Sequence, residues 1–234
     1  MVKWAEFGRH TAYANGAPRS LLRGWAYLAL ALGGTVSLAA FGASHDGQRL
    51  VAQALLYVYW VGAAFHLVPY ETRQGYWAAL FLDYVGITGA FTVQTVAWCG
   101  ASGTAGISAA CSTAMISTAL YALVSGNDVQ TTFRALRLCI GSFHVLQLSA
   151  VELFLADSIW LGLALVLIKV GAFAYFVKNN EFTGGKAKRG TWPGIWGVHD
   201  NFHVLSIIVH ALQLFAIGRR GDDAKQSYAC LPLA

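Results

Sequence analysis

Seven long apolar stretches set the strongest constraint on how this chain can fold. Each is about 20 residues long, the length that an α-helix needs to cross roughly 30 Å of hydrocarbon. They cover residues 21–43, 50–68, 76–98, 104–124, 133–155, 159–177 and 195–218. Only 12% of the 234 residues are charged, against roughly 25% in a soluble domain. The sequence therefore predicts an all-α, polytopic membrane protein built as a seven-transmembrane-helix bundle.

Little of the chain lies outside these stretches. We divide it into an N-terminal arm (residues 1–20), a membrane domain (21–218) and a C-terminal tail (219–234). The arm lacks the apolar core of a signal peptide, and Glu6 is its only acidic residue. We expect it to be a solvated cytosolic segment, and a role in organelle targeting stays open.

The basic residues favour one orientation in the membrane. With seven spans, eleven lysines and arginines fall on the side of the N-terminus and four on the other side. The positive-inside rule therefore places the N-terminus in the cytosol or an equivalent compartment. The net charge of +5 suits contact with anionic lipid head groups and is too dispersed for nucleic acid. Nothing in this pattern names the host membrane, and an organellar one stays open.

Ionisable residues inside membrane helices are candidates for function, because burying them in lipid is expensive. The stretches contain His66, Asp83, His144, Glu152, Lys169, His199, Asp200, His203 and His210. His66 lies near the end of the second stretch. Asp83 is about 10 Å into the third, and His199 and His203 are about 6 and 12 Å into the seventh. These four residues should share one layer near the N-terminal side of the bilayer.

The residue types in this layer suit a metal. Histidines at i and i+4, as at His199 and His203, lie on one helix face and can hold one ion together. His66 would supply a third imidazole. Three protein ligands with one open position form the usual catalytic zinc site, and Asp83 would hold or deprotonate the water there. The alternative is that these histidines only form hydrogen bonds between helices.

The remaining polar residues have competing interpretations. His144 and His210 come out at similar depth, so they suit either axial haem ligation or interhelical hydrogen bonds. Lys169 suits a retinal Schiff base or an ion pair with Glu152 or Asp83. Asp200 is rotated about 100° from His199, so we expect it to orient the site from outside the ligand set.

Two segments resemble a known family. "GAAFHLVPYETRQGYWAALFLDYVGI" is similar to the second and third helices of the progestin and adipoQ receptor family, and "HDNFHVL" to its last helix. That family belongs to a superfamily of seven-helix membrane proteins with the alkaline ceramidases and haemolysin III-like proteins. The resemblance implies zinc held by His66, His199 and His203, with Asp83 contacting the zinc-bound water. It also implies either hydrolysis of lipid amides such as ceramides or a receptor role.

One position departs from the family pattern. A serine is expected four residues before the helix 2 histidine, and this chain has Gly62 there. A hydroxyl at that position could donate to an oxyanion, and one such donor is worth about 10²–10³-fold in rate. The three ligands are unchanged, and nearby Tyr59 or Tyr84 could substitute for the hydroxyl.

Two functions follow from these observations. The first is a zinc-dependent membrane hydrolase of a lipid amide or ester, with membrane lipids and a lipid substrate as partners. The second is a non-catalytic receptor-like protein, or an accessory subunit that retains the metal site and binds other membrane subunits. Neither involves nucleic acid.

Overall fold

A computed structural model describes residues 4–10, 12–14, 19–43, 46–100, 102–126, 128–156, 159–179 and 198–220. These residues form a 3-10 turn at Trp4–Glu6 and seven α-helices. The helices are α1 (Trp25–Phe41), α2 (Asp46–Leu67), α3 (Arg73–Cys99), α4 (Gly103–Ser125), α5 (Val129–Leu155), α6 (Ile159–Asn179) and α7 (Val198–Arg220). Each overlaps one of the seven apolar stretches, with ends that differ by up to four residues, so the prediction of an all-α chain is confirmed. The predicted C-terminal tail lies outside the described residues beyond Arg220.

The apolar helices indicate an integral membrane protein. Five of them, α2, α3, α4, α5 and α7, are long and apolar enough to cross a membrane. α1 is shorter, at 17 residues. Large apolar side chains point outward, including Phe41, Tyr121, Trp160 and Leu167, each at least two-thirds exposed. A water-soluble monomer rarely exposes so many, whereas lipid solvates them.

Short polar signals fix several helix ends. The side chains of Thr72, Ser102 and Asp128 accept hydrogen bonds from backbone N–H groups in the first turns of α3, α4 and α5. Such caps satisfy donors that have no partner inside the helix. Glycines end α3 and α4 with positive φ, where other residues would be strained. The boundaries are thus encoded locally.

Five helices enclose the interior. Packing contacts run in a closed circuit through α2, α3, α5, α6 and α7, with α1 outside against α2 and α4 outside against α3 and α5. The circuit surrounds a cavity of about 170 Å³, to which all five helices contribute side chains. Functional groups on different helices can therefore face one enclosed space.

A buried ion pair joins α5 to α6 inside this bundle. The ammonium group of Lys169 contacts the carboxylate of Glu152, and Gln213 of α7 donates a 2.6 Å hydrogen bond to the same carboxylate. Glu152 is fully buried and Lys169 is 6% exposed. The predicted ion pair is confirmed, with Glu152 rather than Asp83 as the partner.

We expect Lys169→Met to destabilise the protein by roughly 3–5 kcal/mol, because it leaves the Glu152 carboxylate buried without its cation. Glu152→Gln combined with Lys169→Met should be milder, since no charge stays behind. Arg49→Met, which breaks the exposed pair with Asp46, should change little. Thermal unfolding in detergent measures all three, and equal melting temperatures for Lys169→Met and the wild type would contradict this account.

Candidate metal centre

The structure brings three of the predicted residues together. His66 of α2 and His199 and His203 of α7 each offer one ligand nitrogen, and these nitrogens lie within 4.8 Å of one another. His66 and His203 are buried, while His199 is half-buried. The ring centroid of His66 lies 5.0 Å from that of His203 and 5.6 Å from that of His199. The shared layer expected from their depths is therefore formed.

A glycine allows α1 to start against this cluster. Gly24 precedes α1 with φ +92°, and a Cβ atom there would lie 2.7 Å from the Cβ of His66. Any side chain would suffer both backbone strain and a clash. Gly24 thus lets the chain turn into α1 directly over the last turn of α2.

Tyr13 of the N-terminal arm contacts the cluster directly. Its hydroxyl lies 2.6 Å from Nδ1 of His66, and its ring stacks on Phe65. Burial raises the pKa of Tyr13, so the phenol stays protonated at neutral pH. With Nδ1 engaged in this way, Nε2 is the nitrogen of His66 that is left for another partner. Ligating histidines commonly hold their second ring nitrogen in such a hydrogen bond.

Arg19 holds the arm on the end of α2. Its guanidinium donates to the backbone carbonyls of His66 at 2.5 Å, His10 at 2.8 Å and Arg23 at 2.6 Å. The N–H of Gly8 donates to the carbonyl of Leu67 at 2.8 Å. The last carbonyls of a helix have no partner inside it, so the arm caps α2.

Asp200 anchors the same segment to α7. Its carboxylate accepts a hydrogen bond from the Ser20 hydroxyl and pairs with Arg23 at 3.5 Å. Asp200 therefore leaves the ligand face, as its rotation predicted, and it orients the first turn of α7. Tyr13, Arg19 and Ser20 are each less than 9% exposed. The expectation of a solvated arm is wrong for these residues, because their polar groups satisfy helix ends.

Asp83 of α3 faces the same cavity as the histidines. A Cβ atom on Gly62 would lie 3.6 Å from Oδ1 of Asp83 and only 2.6 Å from Cδ2 of Tyr27. The Tyr27 ring, from α1, stacks on His203 with centroids 4.4 Å apart and planes 11° apart. An aromatic ring thus occupies the space where the family serine would place its side chain.

The two tyrosines expected to replace that serine are engaged elsewhere. The Tyr84 hydroxyl donates to the carbonyl of Phe133 at 3.1 Å and accepts from Nε of Arg137 at 2.8 Å. The Tyr59 hydroxyl lies 2.9 Å from Nδ1 of His210. Tyr84 still lines the cavity, but its proton points to the backbone.

Sequence reasoning missed several groups around the centre. Arg137 lines the cavity and lies within electrostatic range of Asp83. Because it is near a predicted helix start, the sequence places it among the basic residues on the N-terminal side of the membrane. Tyr27 carried no signal, since one aromatic residue in an apolar stretch is ordinary. The arm residues were overlooked because a short polar segment usually faces solvent.

The haem and retinal interpretations find no support among the described residues. Nε2 of His144 lies 3.2 Å from the Ser112 hydroxyl, and its ring stacks on Phe91. His210 pairs with Tyr59, and Lys169 with Glu152. Both histidines make the interhelical hydrogen bonds that were the alternative explanation.

No protein-family model, curated protein or solved structure matches this chain. The family resemblance consequently rests on the two quoted segments alone. The residues nevertheless fit a zinc ion, because three imidazoles converge from two helices, one of them held by Tyr13, and a carboxylate faces the same cavity.

We expect Gly62→Ser to destabilise the protein by about 1–3 kcal/mol, because the new side chain overlaps the Tyr27 ring. In a Tyr27→Leu background the same substitution should have a much smaller effect, which a double-mutant cycle of melting temperatures detects. Gly89→Ser is the matched control, since nothing lies within 4 Å of a Cβ there. Equal effects of Gly62→Ser in both backgrounds would show that Tyr27 does not fill this space.

Proposed function

We propose that this chain is a seven-span membrane protein that binds zinc through His66, His199 and His203 and hydrolyses a lipid amide or ester. The observation that carries the proposal is the convergence of these histidines with Asp83 on one cavity inside an apolar bundle. A lipid can enter such a bundle from the bilayer with its acyl chain among apolar walls. Its carbonyl would lie at the histidines.

Each residue at the centre has a distinct role in this proposal. Zinc, when bound, lowers the pKa of a water ligand to about 7 and polarises a carbonyl. Asp83 accepts a proton from the attacking water and returns it to the leaving group. Tyr13 fixes the ring of His66, and Tyr27 fixes that of His203. Arg137 supplies a positive charge that favours a carboxylate product.

Zinc content tests the metal centre. We expect about one zinc per chain in detergent-purified protein and substantial loss in His66→Ala, His199→Ala and His203→Ala, because each variant removes one of three ligands. His144→Ala is the matched control, since His144 is as buried as His66 and His203 and bonds to Ser112 of α4, away from the other three histidines. Little zinc in the wild type, or full zinc in the three variants, would refute the proposal.

Turnover tests the chemistry. A long-chain ceramide and a long-chain acyl ester should both be assayed with the wild type. We expect Asp83→Asn to keep its zinc and to lose about 10²–10⁴-fold in rate, the usual contribution of a general acid–base. Asp46→Asn, at an exposed position of α2, should keep full activity.

A second function is favoured by two features of the centre. The Tyr27 ring stands where the family serine would lie, and the arm covers the end of α2 beside the histidines. Both features suit a non-catalytic receptor-like protein or an accessory subunit that retains its metal. Stoichiometric zinc without turnover of either substrate, together with co-purifying membrane subunits, would select this function.

The proposed topology places the N-terminus in the cytosol or its equivalent. The 21-residue helix α6 counts as a span by its length. The shorter α1 also counts as one, because bilayers thin locally around short apolar helices. In a background without reactive cysteines, Arg49→Cys should react with an impermeant thiol reagent in intact cells. Arg73→Cys, at the other end of α2 and α3, should react only after permeabilisation. The reverse labelling would invert the orientation.

A further inference from the structure

The cavity has a second polar end, away from the histidines. Gln94 of α3, Lys169 of α6 and Gln213 of α7 line it there. Gln213 follows His203 by ten residues and Gln94 follows Asp83 by eleven, so both lie about 15 Å further along the bundle. The two ends are therefore separated by most of the height of the cavity.

Two acceptor oxygens at this end have no protein partner among the described residues. Oε1 of Gln213 and Oε1 of Gln94 are both buried without a hydrogen bond, in side chains that are 1% and 2% exposed. The orientation of Gln213 is determined, because its amide nitrogen must donate to the carboxylate of Glu152. Its oxygen is consequently left over for another donor.

Native structures rarely leave buried acceptors unsatisfied, so such a group calls for a bound partner. The partner must donate a hydrogen, since an amide oxygen can only accept. Lys169 lines the same end and brings an ammonium donor. A hydroxyl group fits both, because it donates through its hydrogen and accepts through its oxygen.

The wall between the two ends is largely apolar. Ser206 and His210 of α7 also line it, but the Ser206 hydroxyl donates to the carbonyl of Phe202 and Nδ1 of His210 is bonded to the hydroxyl of Tyr59. Phe91, Val145, Phe173 and Val209 line the cavity along its length. A molecule that reaches both ends must therefore carry an apolar chain between two polar groups.

We propose that Gln213 and Gln94, with Lys169, form a subsite for a hydroxyl group near the far end of a lipid chain whose carbonyl lies at the histidines. This inference rests on the proposed function for the carbonyl end only. The preferred ligands are long-chain acyl compounds that carry a hydroxyl at or near the end of the chain. Ordered water is the competing occupant of this end.

Binding of ω-hydroxy fatty acids to the detergent-purified full chain tests the subsite. A series of these acids is compared with unsubstituted fatty acids of the same chain lengths. We expect the best hydroxylated acid to bind about tenfold more tightly than its unsubstituted counterpart. The hydroxyl donates to a buried acceptor that the unsubstituted acid leaves without a donor. Equal affinities at every chain length would overturn the proposal and leave water as the occupant.

Two substitutions locate the effect. Gln213→Leu and Gln94→Leu keep the approximate side-chain volume and remove the acceptor, so each should reduce the preference, with Gln213→Leu bringing the ratio close to one. Gln147→Leu is the matched control, because Gln147 bonds to the carbonyl of Thr104 and does not line the cavity. Melting temperatures identify a variant that fails to fold. If one of the two glutamine variants fails, the preference measured in the other tests the subsite. A full preference in a folded Gln213→Leu or Gln94→Leu variant would also refute the subsite.

The same measurement in His199→Ala separates this inference from the proposed function. If that variant has no zinc and no turnover but keeps the preference for the hydroxylated acid, the subsite stands. If the wild type hydrolyses ceramide without distinguishing the two kinds of acid, the hydrolase stands and the subsite falls.

Discussion

The capping of α2 by the N-terminal arm is the interaction on which the arrangement of the centre depends. A helix that ends inside a protein leaves carbonyl groups that need donors, and here Gly8 and Arg19 supply them to Leu67 and His66. The capped residue is itself a proposed ligand. The guanidinium that closes the helix therefore also fixes the backbone from which the His66 ring projects.

The arm extends this control to α7. Ser20 and Arg23 hold Asp200 in the first turn of α7, one residue after His199. A carboxylate is stabilised at this end of a helix by the exposed N–H groups and the dipole. The same short segment thus sets the positions of both helices that carry the histidines, and its own burial follows from that role.

Much of this arrangement follows from the sequence. The seven helices were predictable because apolar runs of membrane length have few alternative structures. The layer of His66, Asp83, His199 and His203 was predictable because helix rise converts residue number into depth. The arm contacts and the Tyr27 ring against Gly62 were not predictable, since both join segments far apart in sequence with no periodic pattern. The place of Arg137 in the cavity was not predictable either, because a charge near a helix start has the same appearance whether it faces water or a cavity.

The sequence by itself determined the class of fold, the approximate positions of the helices and the residue types available for a metal, because hydropathy and capping act over a few neighbouring residues. Tertiary structure decided which polar groups meet. It directed Lys169 to Glu152 rather than Asp83, and Asp200 to the arm. It also placed an aromatic ring where a serine was expected. These outcomes depend on how helices pack around one cavity, where each buried polar group needs a partner from another part of the chain.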